Sequence, residues 1–407
     1  MTGRERILNA VDFKATDRLP KDLGGMASTG ISCFAYVKLV EALGLPYRTP
    51  RVHDTNQMLA LPDPDVLDVL GCDAVTVFWG VTNAFEEPEK WHPYNFGGRL
   101  ESRVRNPHDY KELCDGTIEQ GPWNSRMPSS SYVFTTEHAG QNLDFMNGGD
   151  LQLMDLKQLK KDMEAYLPTS ESIKEIKEHC ERVRNSTDRA IFFNGPINSD
   201  IAIAAHGGMG VFPVICVLHP DYVMEYHDIM TAHTLKKLEL VLPEIRQYID
   251  IIMMGGDDWG TQQATIASPS VFHDLFLPYY TQMNEKAHLV APEVKTFIHT
   301  CGAIYDVIDY IIESGFDILN PVQWTAGGHS YCEWKDKCRN KIALWGGGIN
   351  TQKTLPLGTI ADVEKEAVEI ASYMARDSGF VFNGIHNILA EIDPMKITAM
   401  YKAVENI

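Results

Sequence analysis

The second half of the chain alternates short, largely apolar runs with longer stretches of helical period, and each apolar run ends in glycine or polar residues. The runs lie at 189–194, 249–254, 295–299, 317–320, 342–345 and 379–383, and helix-period segments at 219–245, 268–290, 303–314 and 359–377 separate them. A short apolar run without polar alternation is the pattern of a strand buried on both faces, and strands linked by helices pair in parallel. The boundaries carry their own signals: Ser268-Pro269 and Asp393-Pro394 place a capping side chain before a proline at the first helical position. Gly315 and Gly379 stand where helices stop. Earlier in the chain, 18–23 and 73–79 supply two more candidate strands, although Pro20 confines the first to a strand start or edge. The total of eight predicts a (β/α)8 TIM barrel, an α/β fold whose chemistry sits at the carboxyl ends of its strands.

Such a barrel takes about 250 residues and tolerates insertions. The 407 residues are therefore read as a single domain, 1–407, with an insertion at 85–165 after the second strand. That stretch is rich in Trp, Tyr, Asn, Gly and Pro, and a β-hairpin is expected around Phe96-Gly97-Gly98-Arg99-Leu100. Its place on the rim of the barrel makes it a lid or the contact of a homodimer.

Hydrophobic residues at 44% and charged residues at 22% describe an ordinary globular chain with a sizeable core. The formal net charge of -19 repels polyanions and argues against nucleic acid. It suits a neutral or cationic small molecule, or a partner with a basic face. The eight cysteines form no CxxC and read as thiols of a reducing compartment. No apolar stretch marks a signal peptide or a membrane span, so the expected location is the cytoplasm.

In a barrel the polar strand ends converge on one mouth. They are Asp257 and Asp258; His299, Thr300 and Cys301; Asn320 and Gln323; Trp345 before Gly346-Gly347-Gly348; and Asn383, His386 and Asn387. His299 and Cys301 are two apart on a strand end, which puts both side chains on one side. Imidazole and thiolate are zinc donors, and a catalytic zinc takes three protein ligands with one open position. A hydrogen-bonded histidine beside an inert thiol is the plainer alternative, and a third donor decides between them. The candidates are His386, Asp257 and Asp258. The two aspartates also fit the roles of catalytic base or helix cap. Asn320, Gln323, Trp345, Asn383 and Asn387 are expected to bind substrate.

At these positions the chain resembles the uroporphyrinogen decarboxylase superfamily, a (β/α)8-barrel group, over nearly its whole length. The landmarks are Thr2 to Ala10, Asp17-Arg18-Leu19-Pro20, Ser268-Pro269 through Pro278-Tyr279, His299-Thr300-Cys301-Gly302, Asn320-Pro321-Val322-Gln323, Trp345-Gly346-Gly347 and Asn383-Gly384-Ile385-His386-Asn387. True decarboxylases grip their polycarboxylate substrate with an Arg-Gln-Ala-Gly-Arg segment after the first strand. Here that region reads Lys21 to Ser28, and no arginine follows Arg18 until Arg48. Gly80 stands where those enzymes place an aspartate toward the pyrrole nitrogens.

The chain is more similar to the cobalamin-dependent methyltransferase branch, in which a His-x-Cys pair and a later Cys hold zinc. His299 and Cys301 match the pair, and His386 replaces the later Cys. The resemblance implies an enzyme that moves a methyl group between a small methylated substrate and a corrinoid supplied by a partner protein. Zinc would help as a Lewis acid on the leaving atom, with Asp257 or Asp258 as fourth ligand or neighbour. The alternatives are a divergent uroporphyrinogen decarboxylase and a non-catalytic tetrapyrrole- or corrinoid-binding protein.

Overall fold

The computed structural model describes residues 1–122, 124–135 and 153–407. Among the described residues, seven parallel strands follow one another in sequence order across a curled sheet: β1 (Ala74–Phe78), β2 (Ala190–Asn194), β3 (Ile251–Gly256), β4 (Lys295–His299), β5 (Ile318–Asn320), β6 (Ala343–Trp345) and β7 (Phe380–Val381). An eighth strand, Thr82–Asn83, turns back antiparallel on β1. The segment 20–22 hydrogen-bonds to both ends of the parallel run. The Lys21 carbonyl accepts from Asp73 N at 2.7 Å, the Pro20 carbonyl accepts from Phe382 N at 2.8 Å, and Asp22 N donates to the Phe382 carbonyl at 2.9 Å. Pro20 is tolerated because only its carbonyl takes part in the pairing.

Strand side chains alternate between two cores. Ala74, Ala190, Phe192, Ile251, Phe297, Ile318, Ala343, Trp345 and Val381 fill the inside of the curl, and Ile7 and Val11 of helix Gly3–Val11 close it from below. The intervening residues, among them Val75, Ile191, Ile252, Ile298, Leu319 and Leu344, pack outward in the larger core with the helices. The apolar runs lack polar alternation for this reason: both faces are buried.

Helix Pro394–Ala403 begins as expected, with Asp393 accepting from Met395 N. The segment 268–290 is two helices, Pro269–Leu275 and Leu277–Val290. Phe276 leaves helical geometry at φ -121, and Pro278 has no N–H to continue the ladder. Between β1 and β2 lie small antiparallel sheets and the helices Leu156–Ala165 and Ser170–Ser186. The expected hairpin is present: His92–Asn95 pairs with Glu101–Val104 around Phe96 to Leu100, with Gly97 and Gly98 at φ 61 and 71. The parts of the lid reading that fall on 123 and 136–152 lie outside the described residues. All eight cysteines are free thiols. Among the described residues no helix is long and apolar enough to cross a membrane.

Candidate metal centre

His299 ends β4 two residues after Phe297 and therefore points inward at the mouth. Its Nδ1 lies 2.6 Å from Asn320 Oδ1. Its Nε2 faces Cys301 Sγ at 3.3 Å, Ser28 Oγ at 3.3 Å and Asp258 Oδ1 at 3.5 Å. His386, from the loop after β7, brings its ring centroid to 5.8 Å from that of His299. One donor atom each from His299, Cys301 and His386 lie within 4.8 Å of one another, a group that could hold a metal ion.

Bonds of ~2.0–2.3 Å set adjacent tetrahedral ligands roughly 3.5 Å apart. The His299–Cys301 edge, at 3.3 Å, already has about that length, and His386 offers its donor atom within 4.8 Å of both. Two imidazoles and a thiolate are a zinc-type donor set.

The loop that carries Cys301 is held by its backbone. Cys301 N donates to Asp258 Oδ1 at 2.9 Å, and Gly302 N donates to Gln323 Oε1 at 2.7 Å. Gly302, at φ 92, presses so closely on Gly260 that a Cβ would collide with the Gly260 carbonyl.

The electrostatics are those of mutual compensation. Burial pushes His299 toward the neutral form, but Cys301 and Asp258 outweigh it and hold its pKa well above the usual value. Burial likewise raises Asp258, yet His299 and the Cys301 amide keep its carboxyl well below the usual carboxylate range. Burial and then the charge of His299 lower His386 to about 4.

The two adjacent aspartates separate. Asp258 faces the donor cluster, whereas Asp257 turns away and accepts from the amides of Ile203 and Ala204. Burial, only partly offset by those amides, raises Asp257 to about 7.

A cavity of about 480 Å3 opens on the cluster and is lined by Asp258, Cys301, Gln323, Thr351, His386 and Asn387 among others. Three of the expected substrate residues lie elsewhere. Trp345 is in the interior core and donates from Nε1 to Asp22 Oδ2 at 2.9 Å. Asn383 Nδ2 donates to the Asp22 carbonyl at 2.7 Å. Asn320 bridges His299 and the Trp345 carbonyl. The triple glycine is a tight strand-to-loop turn, with Gly346 and Gly347 at φ 82 and 90.

The sequence reading passed over Ser28, which comes from the loop after 20–22 and reaches His299. The strand-end rule applied to that first segment would have reached it.

A family model described as Uroporphyrinogen decarboxylase (URO-D) matches residues 134–407. No curated protein matches the chain. Among solved structures, a methyltransferase from Methanosarcina mazei is 15% identical with a TM-score of 0.46, the match covering 99% of this chain and 98% of that chain. The endo-1,4-beta-mannanase from Rhizomucor miehei is 13% identical with a TM-score of 0.30, covering 62% of this chain and 91% of that chain.

Proposed function

The chain belongs to the uroporphyrinogen decarboxylase (URO-D) family, and we propose that within it the chain is a zinc-assisted methyltransferase that moves a methyl group between a small methylated substrate and a corrinoid carried by a partner protein. The observation that carries this reading is the convergence of His299, Cys301 and His386 on one point beside a cavity. The decarboxylase reading lacks its anchors: the region 19–47 has no arginine, and Gly80 offers no carboxylate. In this reading the chain is one (β/α)8 barrel domain with 85–165 inserted after the second strand. It works in the cytoplasm and as a homodimer.

Bond breaking leaves an electron pair on the oxygen or nitrogen that loses its methyl group, and bound zinc would supply a Lewis acid for that charge. His299, Cys301 and His386 would hold the ion. Asp258, on the cavity wall and held ionised by its neighbours, is a fixed negative charge that would balance the cation and His299 rather than a group that carries a proton. Gln323 is committed through Oε1 to Gly302 N, which leaves its amide end as a donor toward substrate. Asn387 accepts from Gly30 N at 2.6 Å and donates to Gln57 Oε1 at 2.9 Å, which ties the far wall of the cavity together. Asp257 acts at one remove, by fastening the loop at 203–204.

The test is direct. Purified protein loaded with zinc is mixed with a reduced corrinoid protein and a panel of methoxylated compounds and methylated amines. A shift of the corrinoid absorbance toward the methylated form is expected with at least one of them. No change across the panel, together with release of coproporphyrinogen from uroporphyrinogen, would overturn the proposal in favour of decarboxylation.

A further inference from the structure

We infer that Asn320 is a positioning residue that selects which nitrogen of His299 is offered to a metal, acting through hydrogen bonds that start at the Trp345 carbonyl. The inference rests on the metal-centre reading above and adds to it the origin of the histidine's orientation.

Strand register places the three residues side by side. In the parallel pair of β4 and β5, His299 is the direct partner of Asn320, and both point inward with Phe297 and Ile318. In the next pair Leu319 is level with Leu344, which sets Asn320 beside Trp345. A backbone carbonyl can only accept, so the Trp345 oxygen requires the amide end of Asn320, and Nδ2 donates to it at 2.8 Å. That leaves Oδ1, which also can only accept, opposite His299 Nδ1 at 2.6 Å.

Nδ1 therefore carries a proton, and the lone pair of the neutral ring lies on Nε2. Nε2 is the nitrogen that faces Cys301 Sγ. Flipping the Asn320 amide would set two carbonyl oxygens against each other and is excluded by the same inventory.

Asn320 is sealed in this role. It is 0% exposed, and a Cβ added at Gly346 would already come within 3.2 Å of its Nδ2. Its side chain does not line the cavity, whose walls include Gln323 and Asn387 instead. A partner that holds the second ring nitrogen of a metal-bound histidine fixes both tautomer and ring orientation, and its loss typically weakens metal binding about 10–100-fold.

The experiment measures zinc affinity of the full chain by competition with a chromogenic chelator, for wild type, Asn320→Ala and Asn320→Asp, with thermal unfolding of each metal-free protein as the check on folding. Asn320→Ala is expected to bind zinc about 10–100-fold more weakly. Asn320→Asp keeps an acceptor opposite Nδ1 but sets its second oxygen against the Trp345 carbonyl, so its affinity is expected to fall between wild type and Asn320→Ala. Equal affinity in wild type and Asn320→Ala overturns the inference while leaving the metal centre standing. A wild type that fails to bind zinc overturns the metal-centre reading and this inference with it. Should Asn320→Ala not fold, selective 15N-histidine NMR of the zinc-loaded wild type decides. Protonated Nδ1 with metal on Nε2 is expected, and the reverse assignment refutes the role.

Discussion

Cys301 divides its work between side chain and backbone: the thiol faces His299 Nε2, while its amide is held by Asp258 Oδ1. Cys301→Ser keeps the amide hydrogen bond and removes the soft donor, so zinc content measured by elemental analysis is expected to fall about tenfold or more, with the melting temperature of the metal-free protein nearly unchanged. Stoichiometric zinc in the serine variant would exclude Cys301 as a ligand. Asp22 provides a pH signature of the interior. Burial raises its pKa to about 6, against the weaker pull of Thr29, Trp345 and the Gly25 amide. Between the unfolded value near 3.9 and this folded value, the native state holds a proton that the unfolded chain has lost. The contribution of Asp22 to stability is thus largest below about pH 4, declines by roughly 3 kcal/mol as pH rises toward 6, and is flat above. Urea denaturation of wild type and Asp22→Asn across that range should show the decline only in wild type; parallel curves would count against a raised pKa. The His-x-Cys pair was legible in the sequence because side-chain parity along one strand needs no partner. The role of Asn320 was not, because it depends on lateral register between strands, which a single sequence does not contain.

At the scale of elements, most strands and helices were readable because each strand is apolar on both faces and each helix is punctuated by a cap, a proline or a glycine. The break at Phe276 was missed because Ser268-Pro269 already explained one proline, and the second, Pro278, has a tolerated place one residue into the next helix. The small sheets among 92–127 were expected only as a hairpin, since strands of three or four residues carry too little periodicity to be seen. Asp257 belongs to this scale. Its carboxyl bridges from the end of β3 to the amides of Ile203 and Ala204, in the loop that leads from β2 to helix Phe212–Leu218. Asp257→Ala leaves a fully buried donor at Ile203 without an acceptor and is expected to cost about 1–3 kcal/mol in urea denaturation. Zinc content should stay at the wild-type level. Loss of zinc with unchanged stability would return Asp257 to the ligand set and remove its structural role.

The whole molecule carries a formal charge of -19, too large for any single site to explain, and this sets the terms on which a partner can approach. A protein that delivers a corrinoid to the cavity must bring it against an acidic field, so a productive partner presents a basic or neutral face. A small neutral methyl donor is indifferent to that field, and a polycarboxylate tetrapyrrole is opposed by it. These cases differ in their response to salt. Raising ionic strength from about 0.01 M to about 0.15 M shortens the screening length from about 30 Å to about 8 Å, which removes long-range steering but leaves short buried contacts almost untouched. The second-order rate constant for methyl transfer to the partner protein is therefore expected to fall about tenfold over that range. Transfer to a free corrinoid, measured in the same buffers by absorbance, should change far less. A partner rate constant that is insensitive to salt, or that rises with it, would show that the acidic surface plays no part in docking and that the partner is recognised through the cavity mouth alone.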